Sequence, residues 1–210
     1  MFPRFLLWIS VAAVVTAQDS SSLTTPSGGA GYQPITAEGR MKWVVSGAIG
    51  PANMIAGAFT AGLATRTNSP EEYGTHWAGF GKRVGIGMTG RATSGLMEAS
   101  LGSLWGEDPR YFRATGKPFG SRLNNVFRMT YTAHDRRGNE MPSYARYIAI
   151  PGSAFLSNTW RPDSQTQLAD TLGRMTFTLV THVIGNAFSE FGPDLRKRFS
   201  KKKDVPGSGN

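Results

Sequence analysis

Eight glycines fall between residues 74 and 102, a density that excludes an ordinary self-supporting helix. Each glycine inside a helix costs about 1 kcal/mol relative to alanine, so a helix here stands only if its neighbours hold it. The spacing shows how that is arranged. Gly74, Ala78, Gly81, Gly85, Met88, Ala92, Gly95, Ala99 and Gly102 follow one another in alternating steps of four and three. Such steps lay a seam of minimal side chains along one helix face, where a second backbone can approach closely. The partner is expected in Pro51 to Thr65, where small residues again alternate with Met54, Ile55, Phe59 and Leu63. The competing expectation is a loop-rich segment whose glycines mark turns.

Helix signals recur along the rest of the chain. Thr36 is expected to cap a helix reaching about Ser46, and Gly50-Pro51 ends that pattern and restarts it with proline in the first turn. Ser69-Pro70-Glu71-Glu72 reads as a capping box opening a helix to about Leu104. Ser121 is expected to cap an amphipathic helix carrying Leu123, Val126, Phe127 and Thr130, and His134 to Asn139 form a polar turn. Pro142 opens a short helix that Pro151-Gly152 interrupts, and a last helix runs from Asp163 or Ser164 to Glu190, ended by Gly192-Pro193. The expected fold is all-α, a compact bundle of about five to six helices with a Gly/Ala-rich close-packed pair.

The chain carries the marks of export. Arg4 precedes the apolar run Phe5 to Val15, and Ala17 offers a cleavage point, so residues 1–17 read as a signal peptide, with a retained anchor helix as the alternative. Residues 18–35 read as a flexible Ser/Thr/Gly/Pro linker, 36–195 as one helical domain and 196–210 as a basic disordered tail. The absence of cysteine excludes thiolate metal sites, iron–sulfur clusters and cysteine nucleophiles. Without Arg4 the mature chain has 22 basic against 14 acidic residues, a charge of +8. Arg196, Lys197, Arg198, Lys201, Lys202 and Lys203 concentrate that excess and could hold an anionic membrane surface or a cell-wall polymer, a salt-sensitive attraction, or act as a solvated end. Nucleic acid is not an expected partner of an exported chain. Trp43 to Thr65 is uncharged for 23 residues, long enough to span a bilayer, yet Gly50-Pro51 and Asn53 interrupt it and a core hairpin is the expectation.

At Asp108-Pro109-Arg110-Tyr111-Phe112, at Gly185-Asn186, and at Glu190-Phe191 with Pro193-Asp194-Leu195-Arg196-Lys197-Arg198-Phe199, the chain resembles a family of uncharacterised exported bacterial proteins. The resemblance covers roughly residues 38–200 and implies export and a shared architecture, without an activity, a cofactor or catalytic residues.

Nucleophile elbows, zinc-binding His pairs, phosphate loops and calcium loops are missing from the sequence, so no cofactor or metal is implied. The weak catalytic candidates are Glu107 and Asp108, with His134 or His182 nearby, which could serve acid/base hydrolysis of envelope material only if the fold set two carboxyls about 5 to 9 Å apart. Asp108, Arg110 and Tyr111 are better read as a salt-bridged structural junction, and His182 with Asn186 as a hydrogen-bonded core pair. The expectation is a non-enzymatic envelope module, structural or binding, with an integral membrane protein or a small envelope hydrolase as the alternatives.

Overall fold

The computed structural model describes residues 32–201, with side chains through Leu195. The fold is all-α: α1 (Ala37–Ile49), α2 (Pro51–Arg66), α3 (Trp77–Trp105), α4 (Phe119–Tyr131), α5 (Tyr144–Leu156) and α6 (Leu168–Lys201). A short antiparallel hairpin, β1 (Thr132–His134) with β2 (Glu140–Pro142), pairs Ala133 with Met141 between α4 and α5. The signal peptide and most of the linker lie outside the described residues.

Thr36 caps α1 by accepting from the Gly39 amide, and Gly50 then breaks the chain so that Pro51 starts α2. Ser46 O accepts from the Gly50 amide at 2.9 Å and again from Asn53 Nδ2 at 3.0 Å, which ties the first turn of α2 to the end of α1. α1 and α2 run back along α3, which also carries α5 on another face, while α4 packs on α6. The expected capping box is not formed. Residues Glu71–Tyr73 make a single 3-10 turn and α3 starts only at Trp77. The reason is Arg83, which is buried and donates to Ser69 O at 3.0 Å, Pro70 O at 2.8 Å and Gly74 O at 2.7 Å, folding the loop around its guanidinium. Gly79 permits this, because a Cβ there would lie 2.2 Å from Tyr73 O.

The close-packed pair is present, but its seam is displaced. Ala99 and Gly102 are buried and Gly95 faces Val44, so the seam's later half serves α1 rather than α2. α2 meets α3 instead through Asn53, Gly57 and Ala61, with the Arg91 guanidinium laid over Gly57. That rotation leaves Gly81 and Gly85 facing open space. Three further helices differ from expectation. α4 starts at Phe119, before Ser121; α5 passes through Pro151, held where Gly152 packs on Met97 of α3; α6 starts at Leu168 and continues through Pro193 to Lys201. The late start of α6 follows from Arg174, which reaches back to Gln165 O at 2.6 Å and ties the preceding loop down.

The core is built from small side chains, including Ala48, Ala61, Ala99, Ala149 and Ala154 around Val126, Met129 and Ile150. Charged groups lie among them. Glu98 on α3 pairs with Arg146 on α5 at 2.9 Å, and the same guanidinium donates to Met129 O and Thr130 O at the end of α4. A buried ion pair stands only when its remaining hydrogen-bonding capacity is met, and the α4 carbonyls meet it. Large apolar side chains lie outside instead: Ile55, Phe59, Leu104, Phe119, Tyr147, Ile148, Phe155 and Leu168 are all exposed. α1 and α2 together form the one helical stretch among the described residues long and apolar enough to cross a membrane, and only 33% of its most apolar window is buried.

Substitution separates the used from the unused part of the seam. Gly102→Leu is expected to lower stability by about 1–3 kcal/mol, because a Cβ there already sits 3.3 Å from Glu107 and Arg40. Gly85→Ala is expected to raise stability by up to about 1 kcal/mol through helix propensity alone. Denaturant unfolding of the two variants against the parent checks both signs.

Candidate functional site

The polar groups converge where α3 ends. Gly106 closes α3 in the left-handed conformation, φ 85°, and its amide bonds Gly102 O. The next two residues, Glu107 and Asp108, are 2% and 1% exposed. Two adjacent carboxylates removed from water must find donors, and they find them in opposite directions.

Glu107 Oε2 accepts from Trp105 Nε1 at 2.8 Å and from the Ala145 amide at 2.7 Å. It therefore caps α5 from 38 residues away, where Ser143 makes no side-chain cap of its own. Its Oε1 has no partner, and its main-chain carbonyl accepts from Arg40. Asp108 takes Arg110 across both oxygens, with Nε to Oδ1 at 2.9 Å and Nη2 to Oδ2 at 2.6 Å, and also accepts from Tyr32 Oη at 3.0 Å. Burial and the Asp108 charge push the Tyr32 phenol up from its ordinary value. The Asp108 amide donates to His134 O at 2.8 Å, joining the junction to the hairpin, and Arg110 reaches Gln33 O at 2.7 Å. The planar guanidinium thus serves a carboxylate and a carbonyl together, which an ammonium does less well.

A second node follows within a few residues. Glu190 on α6 is fully buried and accepts from Tyr111 Oη at 2.8 Å, the Ala114 amide at 3.0 Å and Arg122 Nε at 2.7 Å. The Glu190 carbonyl accepts as well, from Arg113 at 2.8 Å and Arg122 at 2.6 Å. Arg122 also pairs with Asp194 at 2.6 Å and lies over the Phe191 ring. Asn125 donates to Tyr111 Oη and to Phe112 O, so the Tyr111 phenol is held from both sides. Burial and the Glu190 charge push that phenol up.

Of the residues singled out from sequence, the structure brings together Glu107, Asp108, Arg110, Tyr111 and His134. His134 packs edge-on against Phe112, with ring centroids 4.6 Å apart, and its buried Nδ1 has no partner. His182 lies elsewhere, on α6, and the expected pair with Asn186 is not made. The Asn186 amide donates across to Thr130 Oγ1 at 3.0 Å and Val126 O at 3.3 Å, because those α4 groups face it directly. Arg196, Lys197, Arg198 and Lys201 fall in the last turns of α6, a region expected to be tail, while Lys202 and Lys203 lie outside the described residues. Among the described residues no group of three or more His, Asp or Glu is set to hold a metal. Glu190 and Arg122 carry no sequence signal of their own, since 68 residues separate them. Comparison with known proteins finds no matching family model, no matching curated protein and no matching solved structure.

Three outcomes follow from this geometry. Glu107→Ala is expected to cost about 1–2 kcal/mol by uncapping α5. Glu190→Ala is expected to cost about 3 kcal/mol or more, because Tyr111 Oη, the Ala114 amide and Arg122 Nε lose one shared buried acceptor together, Arg122 keeping only Asp194 and the main-chain carbonyl at 190. Chemical unfolding of both variants tests the order. Burial also holds His134 below the usual imidazole range, against the opposing charges of Glu140 and Asp108. A depressed folded pKa gives stability that is full above the unfolded value of about 6.5 and is lost as pH falls below it. The melting temperature is therefore expected to drop from pH 7.5 to pH 5, and His134→Phe, which keeps a ring against Phe112, is expected to reduce that drop.

Proposed function

We propose that this chain is an exported, non-enzymatic protein of the cell envelope, a structural or binding module whose exterior is seated in membrane lipid. One observation carries the reading: a set of charged side chains is buried in the bundle while many large apolar ones stand on its exterior. Glu98, Glu107, Asp108, Arg146 and Glu190 are buried, whereas Ile55, Leu104, Phe119, Phe155 and Leu168 are each more than half exposed. Water makes such an arrangement costly, at about 25 cal/mol for each Å² of apolar surface left wet. Hydrocarbon removes that cost, and it favours polar groups satisfied from within.

The pattern extends along four of the six helices, α1, α2, α5 and α6. Charged residues bracket uncharged stretches at 43–65 in α1 and α2, 147–160 around α5 and 175–189 in α6. Only the first has the length to cross a hydrocarbon layer of about 30 Å. The stretch around α5 is α-helical only to Leu156, and the 15 residues in α6 cover about 23 Å at the helical rise of 1.5 Å per residue, so both enter lipid without crossing a full layer. A hydrolase working through Glu107 and Asp108 has less support, since one carboxylate is spent on a helix cap and the other on Arg110.

Fractionation of the producing cells tests the reading. The protein is expected in the membrane fraction after both a high-salt and an alkaline wash, and replacing Lys201, Lys202 and Lys203 by glutamine is expected to leave it there. Release by salt would reduce the attachment to the basic end alone, and recovery in the soluble fraction would overturn the lipid-seated exterior.

A further inference from the structure

A cavity of about 250 Å³ opens where α1 begins and α3 ends, lined by Tyr32, Pro34, Ile35, Arg40, Ser103 and Arg136 among others. Two guanidiniums face it and no carboxylate lines it. The neighbouring acids are already engaged. Asp108 is held by Arg110 and Tyr32, and the Glu107 side chain is turned to Trp105 and the start of α5. Arg40 spends one nitrogen, Nη2, on the Glu107 carbonyl, while its Nη1 is buried without a partner. Arg136 has one long bond, from Nη2 to Ser103 O at 3.3 Å, which leaves the rest of its fork free. The position of Arg136 is built in: a Cβ on Gly106 would lie 2.6 Å from its side chain, so only glycine at the α3 cap lets it lie there.

We propose that this cavity binds a phosphate group carried on a small organic body. Two guanidiniums that repel each other across one space are relieved by an oxyanion between them, to which Arg40 can donate from Nη1 and Arg136 from the nitrogens not spent on Ser103 O. The cavity is larger than a bare phosphate needs, and the Tyr32 ring, Pro34 and Ile35 supply an apolar wall for the carbon portion. The shared chemistry is that of a phosphoester, whether free in solution or in a phospholipid headgroup. The second source fits the position of the site, since Arg40 and Lys42 immediately precede the uncharged stretch that begins at Trp43. The phosphate site does not rest on the lipid-seated reading; its headgroup form does.

Calorimetric titration of the full chain in neutral detergent, with glycerol phosphate and inorganic phosphate as probes, tests the site. Glycerol phosphate is expected to bind one to one and more tightly than inorganic phosphate. Arg136→Gln is expected to weaken it at least tenfold with the melting temperature unchanged, and Arg137→Gln, which removes the same charge from the adjacent position, is expected to change it less than twofold. Arg136→Lys is expected to fall between them. Absence of binding, or equal weakening by Arg136→Gln and Arg137→Gln, would overturn the proposal. Short-chain phosphatidylglycerol displacing glycerol phosphate assigns the site to a headgroup; failure to displace it assigns the site to a soluble phosphoester. Neither result depends on the membrane fractionation, so the two readings fail separately.

Discussion

Everything in this bundle depends on satisfying carboxylates that have been taken out of water. Glu107, Asp108 and Glu190 are each at most 2% exposed, and burying a carboxylate is costly unless donors meet it. The ten residues from Trp105 to Ala114 answer this by distributing donors. Glu107 draws in the start of α5, Asp108 draws in Arg110 and the segment at Tyr32, and Tyr111 with the Ala114 amide reaches Glu190 on α6. Four helices and the hairpin are therefore positioned by one irregular segment. Its irregularity is useful, because backbone amides outside helices are free to serve as donors.

The same economy explains the rest of the molecule. Arg83, Arg146 and Arg174 each turn a guanidinium onto backbone carbonyls at loops or helix ends, so those carbonyls are met from within the bundle. Gly and Ala at the helix contacts allow close backbone approach but bury little apolar area. The large side chains are left on the outside, and the proposed lipid-seated exterior rests on them. Inward charge and outward apolar surface are one design seen from two sides.

Much of the architecture was legible in the residues. Thr36 and Gly50-Pro51 act through local backbone chemistry, and each marks the boundary its type implies. The polar turn at His134 to Asn139 is held by Asp135, which accepts from the Arg137 and Asn139 amides, again a local effect. The failures share a cause. The capping box at Ser69 lost to Arg83, fourteen residues away, and the start of α6 was set by Arg174 rather than by Asp163. Gly85 was assigned to a packed seam by period alone, but the period does not say which face a partner covers. At the junction, Asp108 and Arg110 announce each other across two residues, whereas Glu190 and its donors are joined only by the fold.

The absence of cysteine makes the direction of the exterior open to a direct measurement. Single cysteines at Phe59→Cys, Ile148→Cys and Phe155→Cys, spin-labelled in lipid bilayers, can be compared with Lys82→Cys at an exposed polar position. Labels at the first three positions are predicted to collide readily with oxygen, which partitions into hydrocarbon, and rarely with a water-soluble nickel complex, while the label at 82 shows the reverse. Equal access of the nickel complex to all four would contradict a lipid-seated exterior and with it the account of why this protein buries its charges.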